Sequence, residues 1–326
     1  MGTPEIAVPT LEKLNQNYNI TAVVTIPDKP QGRGKKVNPS PVKLKATQLG
    51  LNILQPENLR DNNFIKTIKS FNPDIIVVFA FRYLPKEVYQ TAKITFNIHT
   101  SLLPQYRGAA PINWAIINGE SLTGMTSFVL NDEIDKGDII LQKKIIIPYN
   151  ATAGDLADIM KNEAPDFAVE TCEVLLSDNY KLTSQPDIFE FPAPKLFKEK
   201  LEIHWNEHAM LVVSFINGCS PIPCAWTMWN DKTLQVIRAT IPTNADILKY
   251  DDGIVKLKDP GDFYIVNGKM FVNCTIGIAE LLEIKLENKN AVLVKDFVNG
   301  YRGEQYGKFT NKSAVLGEIN IYDNKT

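Results

Sequence analysis

After Asp74 the chain runs through seven consecutive apolar residues, which is typical of a β-strand buried on both faces of a parallel sheet. Shorter strand and helix patterns, at residues 51–55 and 63–70, precede this run, and a second extended segment follows at residues 95–99. Alternating strands and helices predict an α/β domain with an open, mostly parallel, Rossmann-like sheet. Because ligands bind at the carboxyl ends of such strands, we expect functional residues in the segments that end these two strands, at residues 80–85 and around residues 97–99.

The second extended segment carries polar side chains on one face. If the strand continues, Asn97, His99 and Ser101 point one way, while Phe96 and Ile98 point the other way. An acid/base group beside a neutral hydrogen-bond donor suits acyl transfer to an amine, because a proton moves while an oxyanion is stabilised. A covalent serine mechanism is disfavoured, since Ser101 lacks a G-x-S-x-G elbow. The alternative is that His99 only satisfies a hydrogen bond at the strand end.

Two motifs together resemble a known family. The run Asn-x-His-x-Ser-Leu-Leu-Pro at residues 97–104, with the acidic loop at residues 132–138, resembles the 10-formyltetrahydrofolate-dependent formyltransferases. The extension Arg-Gly-Ala-Ala-Pro-Ile at residues 107–112 is similar to the branch of that family that acts on methionyl-tRNA. The resemblance implies direct transfer of the formyl group from 10-formyltetrahydrofolate to the α-amino group of methionine on initiator tRNA. It implies no covalent enzyme intermediate.

The resemblance also implies roles for individual residues. Asn97 and His99 stabilise the oxyanion, and Asp135, which lies 36 residues after His99, holds the imidazole and helps to relay the amine proton. This spacing singles out Asp135 over Asp132 and Asp138, although clustered carboxylates by themselves are more often a solvated turn. Folate-binding residues are expected in two segments that end strands: Phe81, Arg82 and Tyr83 in the first, and Ser101, Leu102, Leu103 and Pro104 in the second. The first segment is one residue shorter than is usual in the family.

A cluster of basic residues lies between positions 27 and 45. Its glycines and prolines predict an irregular loop, and its positive charge suits contact with a phosphate backbone. The alternative is an ordinary solvated charged loop. The resemblance implies that this loop contacts the tRNA acceptor stem through Arg33, Lys35 and Lys36, and that Lys195 in the motif Ala-Pro-Lys-Leu adds a further tRNA contact.

The second half of the chain has a different pattern. Short β-branched runs recur at residues 234–239, 253–257, 263–266, 271–276 and 280–286, as in a small antiparallel, OB-like barrel. We expect a catalytic domain at residues 1–182, a linker at 183–202, a tRNA-binding β-barrel at 203–310 and a polar tail at 311–326. The family carries a short apolar strand ahead of the Met-Gly-Thr-Pro turn that opens this sequence, so the first sheet strand is expected to be missing here. Either the start is misassigned and the protein begins a few codons upstream, which we favour, or this form is destabilised.

Composition narrows the remaining possibilities. A chain of 326 residues with 44% hydrophobic residues is long enough for two domains, and its net charge of -2 restricts any tRNA contact to local patches. No run is long enough to span a bilayer and no signal peptide is evident, so a cytoplasmic protein is expected. A monomer is also expected, although no sequence pattern indicates the oligomeric state. Four cysteines make no disulfide framework. Cys219 and Cys224 could be drawn with His204 and His208 as a zinc site. The spacing of the two cysteines disfavours such a site, and no metal is expected.

Two other functions remain open at this point. A formyltransferase for a small amine, such as a nucleotide sugar or glycinamide ribonucleotide, would share the polar trio but would not need the basic segment or the barrel. A tRNA-binding or folate-binding protein without catalysis would not need the trio of Asn97, His99 and Asp135.

Overall fold

The computed structural model describes residues 1–31, 36–177, 179–187 and 191–312. The chain forms two compact units, of which the first comprises Met1–Pro111, Leu122–Ile146 and Ala157–Pro192, and the second Ile112–Ser121, Ile147–Leu156 and the chain from Ala193. This division differs from the boundaries expected above, because residues 112–121 and 147–156 group with the second unit. The expected linker at 183–202 is shared between the two units.

The first unit is built on the predicted α/β sheet. Its strands are β1 (Val23–Val24), β4 (Ile53–Leu54), β5 (Ile75–Phe79), β6 (Ile94–His99), β7 (Leu122–Val129) and β8 (Ile139–Ile146). Strands β1 and β4 are parallel, as are β5 and β6, whereas β7 and β8 add antiparallel strands at one edge. Helices of this half of the chain are α1 (Val8–Asn17), α2 (Pro41–Gln48), α3 (Asn62–Ser70), α4 (Lys86–Tyr89), α5 (Pro111–Ile117) and α6 (Ala153–Leu176).

Met1 and Gly2 lie between β1 and β5, where a further parallel strand would stand. Gly2 bridges Phe79 in parallel and donates its N–H to the carbonyl of Val24 at 3.1 Å. The Met1 ammonium donates to the carbonyl of Val77 at 2.6 Å, and burial lowers the pKa of this amine to about 5. Beside them is a cavity of about 460 Å³ lined by β1, β5, α1 and the end of α6. Among the described residues, Met1 and Gly2 therefore supply the backbone hydrogen bonds that connect β1 to β5.

The basic segment has more regular structure than its glycines and prolines indicate. Strands β2 (Lys29–Gln31) and β3 (Lys36–Asn38) pair antiparallel, and α2 begins directly afterwards. Helix α2 starts there because the Ser40 hydroxyl accepts from the N–H of Lys43 at 3.1 Å and Pro41 takes the first helical position. The prediction that this whole segment is irregular is wrong, since it missed this cap.

The second unit carries the predicted antiparallel barrel. Its strands are β9 (Ala225–Trp229), β10 (Lys232–Thr240), β11 (Asp262–Val266), β12 (Lys269–Asn273), β13 (Ile278–Leu286), β14 (Val292–Leu293) and β15 (Tyr306–Lys308), and its helices are α7 (Ala209–Gly218), α8 (Asn244–Lys249), α9 (Asp251–Ile254) and α10 (Val294–Gly300). The strand order is β15-β11-β12-β13-β10-β9, with β14 on β13. Met228 of β9 exchanges two backbone hydrogen bonds with Thr310, just after β15, so the two ends of the sheet meet.

The predicted fold class, an α/β sheet followed by a small antiparallel barrel, is therefore confirmed. One strand expectation within the barrel is wrong, because residues 251–254 are helical and the turn that follows reaches Lys256. The N–H groups of Ile254 and Val255 bond four residues back, to Tyr250 and Asp251, at 3.0 and 2.9 Å. Two aspartates in the first turn favour a helix start, and this outweighs the β-branched character of the run.

Within the described residues, no helix has both the length and the apolar character needed to cross a membrane. The same residues contain no cluster of three or more histidine, cysteine or acidic side chains suited to a metal ion. All four cysteines are buried as free thiols.

Candidate active site

The carboxyl end of β6 presents the polar residues that its alternation predicts. Phe96 and Ile98 are buried in the core, with 0% and 2% of their surface exposed, while Asn97 and His99 lie on the other face. Asn97 is only half-buried, and its side-chain amide makes no hydrogen bond to any described residue. This amide is therefore available to donate a hydrogen bond to a ligand beside His99.

Both ring nitrogens of His99 face oxygen atoms. Nε2 lies 2.8 Å from the carbonyl oxygen of Tyr106, and because a carbonyl only accepts, Nε2 carries a proton. Nδ1 lies 3.8 Å from Oδ2 of Asp135, within ion-pair reach, and both side chains are largely buried. The ring is thus held between a carbonyl oxygen on one side and a carboxylate on the other.

Asp135 is held in an unusual backbone conformation. Its φ of 55° is in the left-handed region, and its carboxylate Oδ2 accepts the backbone N–H of Gly108 at 3.0 Å. Gly137 makes this tight loop possible, since a Cβ there would lie 1.6 Å from the carbonyl oxygen of Val129. The acidic loop thus places the carboxylate of Asp135 between the His99 ring and the backbone of the loop at residues 106–108.

The neighbouring aspartates do not approach the ring in this way. Asp132 accepts hydrogen bonds from the hydroxyl of Tyr89 at 2.6 Å and the ammonium of Lys86 at 3.0 Å, and these contacts lower its pKa. Burial, and then the bond to Asp132, raise the pKa of Tyr89 to about 12. Asp138 contributes its backbone carbonyl to Val129 at 2.9 Å. Of the three aspartates, the structure places Asp135 beside His99.

Ser101 does not share the strand face of His99. Strand β6 ends at His99, and the fully buried Ser101 hydroxyl donates to the carbonyl of Gln105 at 2.6 Å. The expectation that Ser101 continues the alternation is wrong, because the chain turns before it. The hydroxyl of Thr126 binds this turn, donating to the Ser101 carbonyl at 2.7 Å and accepting from the N–H of Leu103 at 3.0 Å.

The other expected folate contacts differ in exposure. Leu103 is buried, whereas Leu102 and Pro104 are half-buried and retain surface for a ligand. In the other segment, Phe81 packs on the core and Tyr83 has 56% of its surface exposed. The guanidinium of Arg82 donates to the backbone carbonyls of Pro56 and Glu57, the latter at 2.9 Å, so Arg82 braces a neighbouring loop.

The expected tRNA contacts are only partly within the described chain. Arg33 and Lys35 lie outside the described residues. Lys36 belongs to β3, where the backbone alone is described. Lys195 lies in the second unit, with its ammonium 5.4 Å from the ring centroid of Phe197, and 48% of the Phe197 surface is exposed.

Two further side chains, those of Arg107 and Gln185, join this site. The Arg-Gly-Ala-Ala-Pro-Ile motif contains Arg107 without indicating a role for it, and no signal in the sequence marks Gln185. Arg107 is buried, and burial lowers the pKa of its guanidinium. Gln185 accepts hydrogen bonds from Nε and Nη2 of Arg107 at 3.1 and 2.8 Å. The sequence places Gln185 in a polar stretch that is expected to be a linker. Neither periodicity nor spacing connects it to Asp135, 50 positions earlier, or to Arg107, 78 positions earlier.

Family models match both halves of the chain. The model described as "Formyl transferase" matches residues 2–172, and the model described as "Formyl transferase, C-terminal domain" matches residues 195–302. The two matched ranges leave only a short central stretch and the two ends of the chain outside them.

Two curated relatives are similar to the chain along almost all of its length. The methionyl-tRNA formyltransferase of Chlorobium limicola is 37% identical over 309 residues, which are 93% of this chain and 96% of that protein. The methionyl-tRNA formyltransferase of Clostridioides difficile is 39% identical over 304 residues, which are 92% of this chain and 95% of that protein.

Solved structures share the architecture at lower identity. An N-formyltransferase from Helicobacter canadensis in complex with folinic acid and dTDP-3-aminofucose gives a TM-score of 0.61 at 19% identity, covering 86% of this chain and 96% of that chain. A sugar 3N-formyl transferase solved with dTDP and 5-N-formyl-THF gives a TM-score of 0.63 at 18% identity, covering 89% and 97%. At such identities the likeness shows the fold alone.

Proposed function

The chain belongs to the formyl transferase family, and on this basis we propose that it transfers the formyl group of 10-formyltetrahydrofolate to the α-amino group of methionine on initiator methionyl-tRNA. The resemblance found in the sequence motifs is confirmed by the family matches. One observation carries the choice of substrate: the relatives named methionyl-tRNA formyltransferase are 37% and 39% identical along both units of this chain.

The geometry supports roles for Asn97, His99 and Asp135 in this reaction. The amide of Asn97 donates to the formyl oxygen, on which negative charge develops as the amine nitrogen bonds to the formyl carbon. The His99 ring, on the same strand face, adds positive charge beside that oxygen. Asp135 orients the ring. It also takes part in the relay that carries the proton lost by the amine to N10 of the departing tetrahydrofolate.

The residues present fit a folate co-substrate. The half-buried amide of Asn97 has no hydrogen-bond partner among the described residues. Leu102 and Pro104, a few positions later in the chain, and Tyr83, which follows the neighbouring strand β5, offer partly exposed apolar surface. When bound, 10-formyltetrahydrofolate supplies the formyl group. The chain's own contribution is to donate to the formyl oxygen and to hold the acid/base pair, and no residue of the trio needs to form a covalent bond.

The tRNA contacts are proposed from charge and from family membership. Arg33, Lys35 and Lys36 supply positive charge to the segment around β2 and β3, and Lys195 supplies it in the second unit. We assign the barrel at residues 203–310 to tRNA binding as well. A monomer in the cytoplasm, where charged initiator tRNA is used, completes this proposal.

A formyltransferase for a small amine remains the second candidate, because the sugar formyltransferases share this architecture. Radiolabelled formyl transfer separates the two. Purified protein with 10-formyltetrahydrofolate is offered methionyl initiator tRNA, methionyl elongator tRNA or dTDP-3-aminofucose. The proposal predicts label on the initiator tRNA, with the elongator tRNA a much poorer substrate. Label on the amino sugar alone would favour the second candidate instead.

A further inference from the structure

Gln185 links the two loops that hold the His99–Asp135 pair. Its side-chain Nε2 donates to the backbone carbonyls of Asp135 at 3.0 Å and Gly137 at 2.7 Å. Its Oε1 accepts both Nε and Nη2 of Arg107, at 3.1 and 2.8 Å. Gln185, Arg107, Asp135 and Gly137 all belong to the first unit. One side-chain amide therefore makes four hydrogen bonds within that unit.

The loop at residues 106–108 touches both members of the pair. The carbonyl of Tyr106 accepts from Nε2 of His99, and the N–H of Gly108 donates to the carboxylate of Asp135. Arg107, between them, is the residue whose side chain Gln185 binds. Gln185 thus joins the loop that anchors the imidazole to the backbone of the loop that carries the carboxylate.

The backbone of Asp135 needs such support. A non-glycine residue with a φ of 55° is in a sparsely populated region and persists when its surroundings hold it there. The carbonyls of Asp135 and Gly137 accept Gln185 on either side of Lys136. Loss of these bonds would free the turn to relax and would move the carboxylate relative to the ring.

Only a neutral amide has the required groups. The guanidinium of Arg107 needs an acceptor, while the two backbone carbonyls need donors, and a side-chain amide offers both. A glutamate at this position would keep the acceptor for Arg107 but would bring a carboxylate against two carbonyl oxygens. A methionine would keep the length and remove every hydrogen bond.

We infer that Gln185 is a positioning residue for formyl transfer, which sets the position of the Asp135 carboxylate against His99 through the backbone of the acidic loop. This inference rests on the proposed function for its kinetic consequence. The role is distinct from substrate contact, because the bonds of Gln185 to Arg107, Asp135 and Gly137 account for both ends of its amide.

Kinetics with a double-mutant cycle test the inference. Gln185→Met and Gln185→Glu should each lower kcat by about 10- to 100-fold, since small misplacements of catalytic groups cost about that much, with KM for both substrates changed less than twofold. In an Asp135→Asn background, Gln185→Met should lower the residual single-turnover rate less than twofold, because the group through which it acts is already altered. Equal fold losses in both backgrounds, or an unchanged kcat in Gln185→Met, would overturn the inference.

A matched control and a second readout separate positioning from stability. Asn217 also bridges backbone groups with its amide, donating to and accepting from Ala239 at 3.0 Å each, and Asn217→Ala should lower the melting temperature without changing kcat. Histidine-selective ¹⁵N labelling reports on His99 without any activity, since the chain has three histidines. Its ring signals should shift in both Gln185 variants and not in Asn217→Ala. If the signals shift in the Gln185 variants but the wild-type protein transfers no formyl group, the proposed function fails while the positioning role of Gln185 stands. Unshifted signals in both variants would overturn the role of Gln185.

Discussion

Nδ1 of His99 lies 3.8 Å from Oδ2 of Asp135, although the two residues are 36 positions apart in the chain. Strand β7 runs antiparallel to β6 and ends beside Phe96, so the acidic loop that follows β7 must turn back for Asp135 to lie beside the His99 ring. Since the ring and the carboxylate are both largely buried, their mutual orientation is set by the protein and little by solvent.

Removal of the carboxylate should abolish most of the activity. Asp135→Ala should lower kcat by about 10²- to 10⁴-fold, the usual contribution of a positioned acid/base system, because His99 loses its partner. Asp138→Ala, in the same loop, is the matched control and should keep kcat within about threefold, since its backbone carbonyl provides its contact with Val129. Steady-state kinetics with saturating substrates measures both. A near-normal kcat in Asp135→Ala would refute this assignment.

The amide of Asn97 should matter through its N–H group. Asn97→Asp keeps the shape of the side chain and removes the donor, so kcat should fall by about 10²- to 10³-fold, as when one oxyanion donor is lost. Its KM values should change little, because the donor acts as charge develops. The control is Asn52→Asp, which changes an exposed amide whose bond is to the Thr21 carbonyl at 3.1 Å and should leave kcat unchanged. An active Asn97→Asp enzyme would contradict the oxyanion role.

The basic segment should affect tRNA and not small amines. Arg33→Ala and Lys35→Ala should each raise KM for methionyl initiator tRNA and lower the slope of log affinity against log salt by about one, the value for one lost phosphate contact. The control is Lys66→Ala in α3, a lysine with no assigned role. Filter binding across a salt series gives the slopes. Unchanged slopes in the two variants would favour the reading of an ordinary solvated loop.

Filling the cavity beside Met1 should stabilise the first unit. A variant extended before Met1 by five apolar, β-branched residues should have a raised melting temperature, because the added strand pairs with β1 and β5 and occupies the cavity of about 460 Å³. An extension of five glycine and serine residues is the control, and it should stabilise the protein far less. Equal melting temperatures for the two extensions would contradict the expectation that an added strand fills this cavity.

The same extension should alter the pH dependence of stability. Burial lowers the pKa of the Met1 amine from 8.0 to about 5, so between these values the unfolded chain binds more protons than the folded chain. Stability of the unextended protein should therefore rise from pH 5 to pH 8. In the extended variant this part of the rise should be lost, because the amine no longer lies at that position. Urea denaturation at several pH values measures the difference.

The patterns along the chain were sufficient for the fold class and for the residues at the end of β6. Continuous apolarity predicted β5, and alternation predicted which faces Phe96 and Asn97 occupy, because both depend on neighbours within a few positions. The motif around His99 indicated the family. Prediction failed where local signals competed, as at residues 251–254, where a helix start outweighed β-branched residues.

Sequence by itself thus determined the strand and helix periodicities and the family, since these are properties of short segments, and it offered Asn97, His99 and Asp135 as candidates. Tertiary structure alone decided that Ser101 turns inward to Gln105, that Asp135 reaches His99 while Asp132 binds Tyr89, and that Gln185 ties the two loops together. The physical reason is that these are bonds between segments distant in the chain. Their partners are selected by how the sheet brings loop ends to one edge, and no local pattern encodes that geometry.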